Sequence, residues 1–210
     1  MATGDKNSLK SLCDILFIKK RYEEAIPILK DITNQDYSPV RGYANYRLSQ
    51  CYRDGLGVKP NTRKARKYFK EAIQLNNGEA LYILSTEKFA EGKPQEGIDL
   101  LRKAYWGSKR AAYALGYRLY HGEDIEQDQV EGVKLMKRAA SKNNRQAMYF
   151  LANLTYQNQA EAPTLNTAIE YARRASITGN SKAAELLEKL EQQRKDESAP
   201  LEESTRARTS

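Results

Sequence analysis

The chain repeats itself. With Ala44 set as position zero of a unit, a Leu follows at position four and a small residue at position five. The trio returns as Ala80, Leu84 and Ser85, as Ala111, Leu115 and Gly116, and as Ala147, Leu151 and Ala152. The N-terminal segment fits the same frame as Ser8, Leu12 and Cys13. A second set follows each of these: small residues at Ala25, Ala65, Gly97, Gly132 and Ala168, and seven residues later Ile32, Ala72, Ala104, Ala139 and Ala175. The first anchors lie 36, 36, 31 and 36 residues apart. Self-similarity at such a period constrains the fold more than local propensity does, because one unit cannot bury its own apolar face and must stack on the next.

Each unit reads as helix A, a turn and helix B. Positions zero, four, eight and eleven share one helical face, the apolar stripe a buried helix needs, and the small residue at position five lets helix B approach closely. The turn residues agree. Gly55, Gly57 and Pro60, then Gly92 and Pro94, then Gly122, then Pro163 all fall between A and B. Asn61, Asp128 and Thr164 stand four residues before the helix B anchor, where an N-cap is expected. Pro27 is the misfit, since it falls inside the first B helix and should kink it. With 6 Pro and 12 Gly in 210 residues, and Ala, Leu, Lys, Glu and Arg abundant, the expected class is all-α.

The expected layout is a disordered N-terminus over 1–7 and a single repeat domain over 8–194. Its units cover 8–43, 44–79, 80–110, 111–146 and 147–180, followed by a cap over 181–194. The cap restarts helix A with Ala183 and Leu187 but places Glu188 at the small position, where a charge blocks a further B helix. Residues 195–210 lack apolar periodicity and are expected to be a disordered tail.

The second unit, with Ala44, Tyr46, Leu48, Tyr52, Gly55, Gly57, Val58, Lys64, Ala65, Tyr68 and Ala72, resembles the Sel-one-like repeat family, a tetratricopeptide relative. The fourth unit is similar through Tyr113, Leu115, Gly116, Gly122, Asp128, Ala139 and Ala140, and the fifth through Tyr149, Leu151, Ala168, Tyr171 and Ala175. The resemblance implies a right-handed α-solenoid whose concave face is lined by A helices. It also implies a role as adaptor or scaffold, with bacterial members in envelope processes, host interaction and toxin neutralisation. It fixes no ligand, so function has to be read from the surface.

By analogy with stacked arrays, positions minus one, two, six and nine of helix A line the inner surface. They hold Tyr46, Tyr82, Tyr113 and Tyr149 at position two, and Phe17, Arg53, Phe89, Tyr120 and Tyr156 at position nine, with Tyr43 and Tyr117 beside them. Tyr and Arg concentrate binding energy because they join a large contact area to a polar tip. Trp106, at the end of the third B helix, is a further candidate anchor. The same Tyr positions also suit packing between neighbouring A helices, and Trp106 suits covering the joint left by the short third unit. The expected partner is a protein segment or domain held in a Tyr-rich concave face, in an adaptor or in an immunity-type inhibitor that neutralises a toxin.

The net charge of +8 favours an acidic partner. Between Arg41 and Ala72, Arg41, Arg47, Arg53, Lys59, Arg63, Lys64, Arg66, Lys67 and Lys70 face only Asp54 and Glu71. This second unit is the alternative site, for an acidic polymer. The patch is confined to one repeat, whereas nucleic acid calls for a continuous basic track with stacking platforms.

No chemistry for catalysis is visible. His121 is expected in a surface turn, Asp54-Gly55-Leu56-Gly57 is the repeat's own turn rather than a phosphate loop, and no His, Cys and carboxylate set has metal spacing. Cys13 and Cys51 are too few for a disulfide framework and are expected as buried thiols. The reading is therefore a non-enzyme without cofactor or metal. No apolar run of membrane length and no signal peptide occur, which places the chain as written in the cytoplasm, or in the periplasm for a form whose leader has been removed.

Overall fold

The computed structural model describes residues 6–34, 38–177 and 181–206, and side chains at 8–34, 40–177 and 181–197. Among them the secondary structure is helical throughout. In order the helices are α1 (Lys6–Ile18), α2 (Tyr22–Thr33), α3 (Ser38–Asp54), α4 (Thr62–Gln74), α5 (Gly78–Ala90), α6 (Pro94–Ala104), α7 (Lys109–His121), α8 (Gln129–Ser141), α9 (Arg145–Tyr156), α10 (Leu165–Ser176) and α11 (Ser181–Arg206). The helices gather into two compact units, Met1–Ser108 and Lys109–Ser210.

In the first unit α1/α2, α3/α4 and α5/α6 form hairpins. The first two share a core of Cys13, Leu16, Ala25, Leu29, Ile32, Ala44, Leu48 and Cys51. Each fully buried Leu contributes about 1.5–3 kcal/mol relative to exposure. In α1 positions five and eight of the expected frame are buried, but positions zero and four are not. Ser8 and Leu12 are exposed while Cys13 and Leu16 are buried. The other flank of α1, with Leu12 42%, Ile15 49% and Ile18 82%, is exposed. Helix α2 continues through Pro27 to Thr33, losing the one ladder bond that the missing amide would donate.

In the second unit α7/α8 and α9/α10 form hairpins, and α11 lies against α10 and α9 through Leu186 and Leu190. The small position five is explained here. A methyl group on Gly116 would lie 2.8 Å from the Gly132 carbonyl, and one on Gly132 would meet the Gly116 carbonyl at the same distance. The two glycines let the backbones of α7 and α8 touch.

Apart from Ser8, Leu12 and the half-buried Leu84, the anchors are buried where the period puts them. Ala44, Leu48, Ala80, Ala111, Leu115, Ala147 and Leu151 on A helices, and Ala65, Ala72, Ala104, Ala139, Ala168 and Ala175 on B helices, are buried. Asn61, Asp128 and Thr164 cap the B helices through the amides of Lys64, Glu131 and Thr167. Two further caps start A helices. Asn76 and Asn143 take the left-handed conformation that ends a B helix, and the next residue, Asn77 or Asn144, accepts a hydrogen bond from the amide of Ala80 or Ala147. Helix α11 runs past Arg194, where the tail was expected to begin, helped by Gln192–Asp196 and Gln193–Glu197 bonds one turn apart.

Candidate functional site

The A-helix tyrosines expected on one face have three different fates. Tyr46 is only 8% exposed and belongs to a core with Ala72 and Ala80, its hydroxyl accepting from Gln50 Nε2 at 3.2 Å. It is a packing residue, not a surface contact. Tyr43 is half-buried between α3 and α1. Its hydroxyl donates to Asp14 Oδ1 at 2.6 Å, and Arg47 Nη2 donates to the same oxygen at 3.1 Å. Lys10 reaches the other Asp14 oxygen at 3.1 Å. Burial alone would raise the Asp14 carboxyl, but the hydrogen bonds from Tyr43, Lys10 and Arg47 outweigh it and hold the group below the ordinary range. The Arg47 guanidinium also lies 4.6 Å from the centre of Phe17 and 5.4 Å from that of Tyr43. The aromatic residues of the α1/α3 joint are thus consumed by an internal network.

The third fate is an open groove in the second unit. Tyr113 and Tyr117 come from α7, one turn apart, with centroids 6.0 Å apart. Tyr149 and Phe150 come from the facing α9. Together with Arg145, Gln146 and Ala175 these line a cavity of about 450 Å³. Phe150 stands edge-on to Tyr117 at 5.9 Å and to Tyr120 at 5.2 Å, and fixes the floor. His121 is the last residue of α7 rather than a turn residue, and its ring packs 4.4 Å from Tyr117. The four lining rings are half-buried.

Position nine does not join this groove as a row. Phe89 lies over Gly97 of α6, where a methyl group would come within 2.7 Å of its ring, so it fills its own hairpin. Arg53 is exposed, forms two bonds of 2.8 Å to Asp54 and borders a separate pocket against α4. Tyr156 is 42% exposed beside α11, with Lys189 5.6 Å above its ring. The cause is axial: positions two and nine differ by only about 20° around the helix, but position nine lies at the end of helix A, beside the start of helix B. Tyr82 on α5 is half-buried. Trp106 is 63% exposed and tilted against Tyr105 at 5.3 Å.

The Sel1 repeat family model matches residues 42–77, 109–144 and 145–179, just over half of the chain. This is a Sel1-repeat protein. The fold class of Sel1 proteins, an all-α solenoid of helical hairpins, is the one expected from the period. Among solved structures the Sel1 chain is similar to a Sel1 repeat protein from Oxalobacter formigenes. The two are 20% identical, over 87% of this chain and 76% of that one, with a TM-score of 0.59. It is also similar to c5321, a protective antigen present in uropathogenic Escherichia coli strains displaying an SLR fold. There the identity is 19%, over 88% of this chain but 40% of that one, with a TM-score of 0.52. Sel1-repeat proteins generally mediate protein–protein interaction and are generally non-catalytic.

Four of the seven residues lining the groove of the Sel1 fourth and fifth units, Phe150, Arg145, Gln146 and Ala175, are not among the contacts expected from the sequence. The signal for Phe150 was its place beside Tyr149, on the face turned back to helix α7. Asp14 was likewise unforeseen, because a lone acid in a Lys-rich helix carries no signature until Tyr43 and Arg47 are brought to it. Among the described residues no group of three or more His, Cys, Asp or Glu is placed to hold a metal, and no helix is long and apolar enough to cross a membrane. Cys13 and Cys51 are free and buried, and burial pushes both thiols up to about 11.

Proposed function

We propose that this chain is a non-enzymatic adaptor that holds a segment of a partner protein in the α7/α9 groove. The observation that supports this reading is the groove itself: four half-buried rings around an open volume, with a guanidinium and a carboxamide at its edge. Aromatic side chains there are already held by their neighbours, so a ligand that stacks on them orders few new rotamers. Arg145 and Gln146 supply hydrogen bonds that set direction along the groove.

The test is affinity capture from native extract with the intact chain and with a Tyr117→Ala/Tyr149→Ala variant of unchanged helical content. The reading expects a protein retained by the intact chain and released by the double variant. It expects that protein to stay bound when Tyr46, a core residue, is changed conservatively to Phe. Retention by the double variant would sink the proposal. Truncating central aromatic contacts of an interface costs about 2 kcal/mol or more each, a loss of at least about thirtyfold in affinity.

A further inference from the structure

A second surface lies in the first unit, where α3, α4 and α5 meet. Ala65, Phe69 and Ile83 floor a cavity of about 240 Å³, and Arg53 and Arg66 stand on its rim with Glu87 opposite. The third repeat is the short one, and the start of α4 is left partly uncovered beside α5. Helix α4 adds a second observation. Arg63, Arg66, Lys67 and Lys70 are spaced i, i+3, i+4 and i+7, which sets four cations on one flank of the helix, beside the groove. All four are exposed. Lys67 leans 3.9 Å toward Glu71, while Arg63, Arg66 and Lys70 make no ion pair among the described residues. Like charges at these spacings weaken their own helix. An anion laid along the flank relieves that repulsion.

The geometry points to this groove as a docking site for an acidic protein segment carrying one apolar side chain. Carboxylates pair with Arg66, Arg63 and Lys70, and bidentate pairing at the two arginines gives direction. The apolar side chain enters between Ala65, Phe69 and Ile83. A protein segment fits better than nucleic acid for two reasons. The aromatic rings near the cations are turned inward, Tyr68 stacked on Tyr52 at 5.7 Å and Phe69 in the floor, so no ring is free for a base. The cations also cover one helix of 13 residues, roughly 20 Å, rather than a track across the unit. This site is independent of the α7/α9 groove.

The probe is a short fluorescent peptide of Asp and Glu with a single central Leu, titrated against the full chain and followed by anisotropy. Binding that falls with added salt is expected. Arg66→Glu/Lys70→Glu weakens it at least about tenfold and the neutral Arg66→Gln/Lys70→Gln by less, since each lost charge-assisted contact weakens the complex. Changing the peptide Leu to Ser weakens it several-fold with the protein untouched, and Tyr117→Ala/Tyr149→Ala leaves it unchanged. The proposal is overturned if the peptide does not bind or if charge reversal on α4 changes nothing. It is also overturned if the Ser peptide binds equally well, or if a single-stranded oligodeoxynucleotide binds more tightly than the Leu peptide.

Discussion

The α1/α3 and α7/α9 joints both set aromatic side chains of successive A helices against each other, yet one is closed and the other lines a cavity. At α1/α3, Phe17 and Tyr43 meet Asp14, Arg47 and Lys10, and each polar group is bonded across or along the helices. At α7/α9, Tyr113, Tyr117, Tyr149 and Phe150 meet one another around a cavity. The deciding residue is Asp14. One carboxylate on the terminal helix draws in a phenol and a guanidinium and turns an aromatic joint into a structural seam. No carboxylate stands in the lining of the α7/α9 cavity. An aromatic at a repeat position therefore carries no fixed role. The residue facing it assigns one.

Removing the acid is the strongest way to break this contrast. Asp14→Ala leaves the Tyr43 hydroxyl and the Arg47 guanidinium without their shared acceptor, in a joint where the ion-pair side chains are 28% and 34% exposed. Losing a shared acceptor for buried donors costs about 1–3 kcal/mol, and solvent screening at this exposure puts the value at the low end. Tyr117→Ala in the open joint should cost less, about 0.5 kcal/mol, because the lost ring lines a cavity and gives up mainly edge contacts. Urea denaturation of both variants checks the order. Equal losses would mean that Tyr117 is a packing residue and that the open joint is not open in the sense argued.

The thiols give a second, finer reading, because Cys13 and Cys51 both lie in the closed unit and the second unit has none. Both are buried, and with acidities shifted up to about 11 they present little thiolate at neutral pH. A thiol reagent should therefore modify the native chain at the rate of local opening. Asp14→Ala loosens the seam that holds terminal helix α1 on α3, so Cys13 should label roughly tenfold faster, with Cys51 accelerated less. Peptide mapping of the labelled chain separates the two sites. Equal acceleration at both would show that the seam guards the whole first core rather than α1.

Much of this was legible in the sequence. Ala, Leu and Gly at fixed spacing announced the hairpins because burial, helical period and backbone approach all act on the same few positions. Asn61, Asp128 and Thr164 announced the B-helix starts because a cap is a local hydrogen bond. The paired asparagines Asn76-Asn77 and Asn143-Asn144 carried the A-helix starts, one ending a helix in the left-handed region and the next capping its successor. The candidate surface was legible only in part. Position two located Tyr113 and Tyr149, but whether such a ring is buried, as in Tyr46, depends on the side chains of the next helix. Position nine misled because it lies at the end of helix A, against the start of helix B, where Phe89 packs on Gly97 of its hairpin partner. Leu12 misled because it stands on the exposed flank of α1, not the packed one.

The smallest effect is the pH dependence of the seam, and it distinguishes the two joints without touching the aromatic residues. The Asp14 carboxyl is held below its ordinary value in the folded chain, by hydrogen bonds from Tyr43, Lys10 and Arg47 that overcome burial. A depressed folded value means that the charged form is the one folding favours, so its contribution is fully present above the ordinary carboxylate value of about 4. That contribution is lost as pH falls from there through the folded value. Thermal melting followed across this acid window should show a steeper fall for the native chain than for Asp14→Asn, with the two curves parallel above it. The tyrosine groove has no carboxylate in its lining, so Tyr117→Ala should shift the curve without changing its slope. If Asp14→Asn followed the native slope, the acid would be a bystander in the seam, and the closure of the α1/α3 joint would have to rest on the stacking of Arg47 over Phe17 and Tyr43 instead.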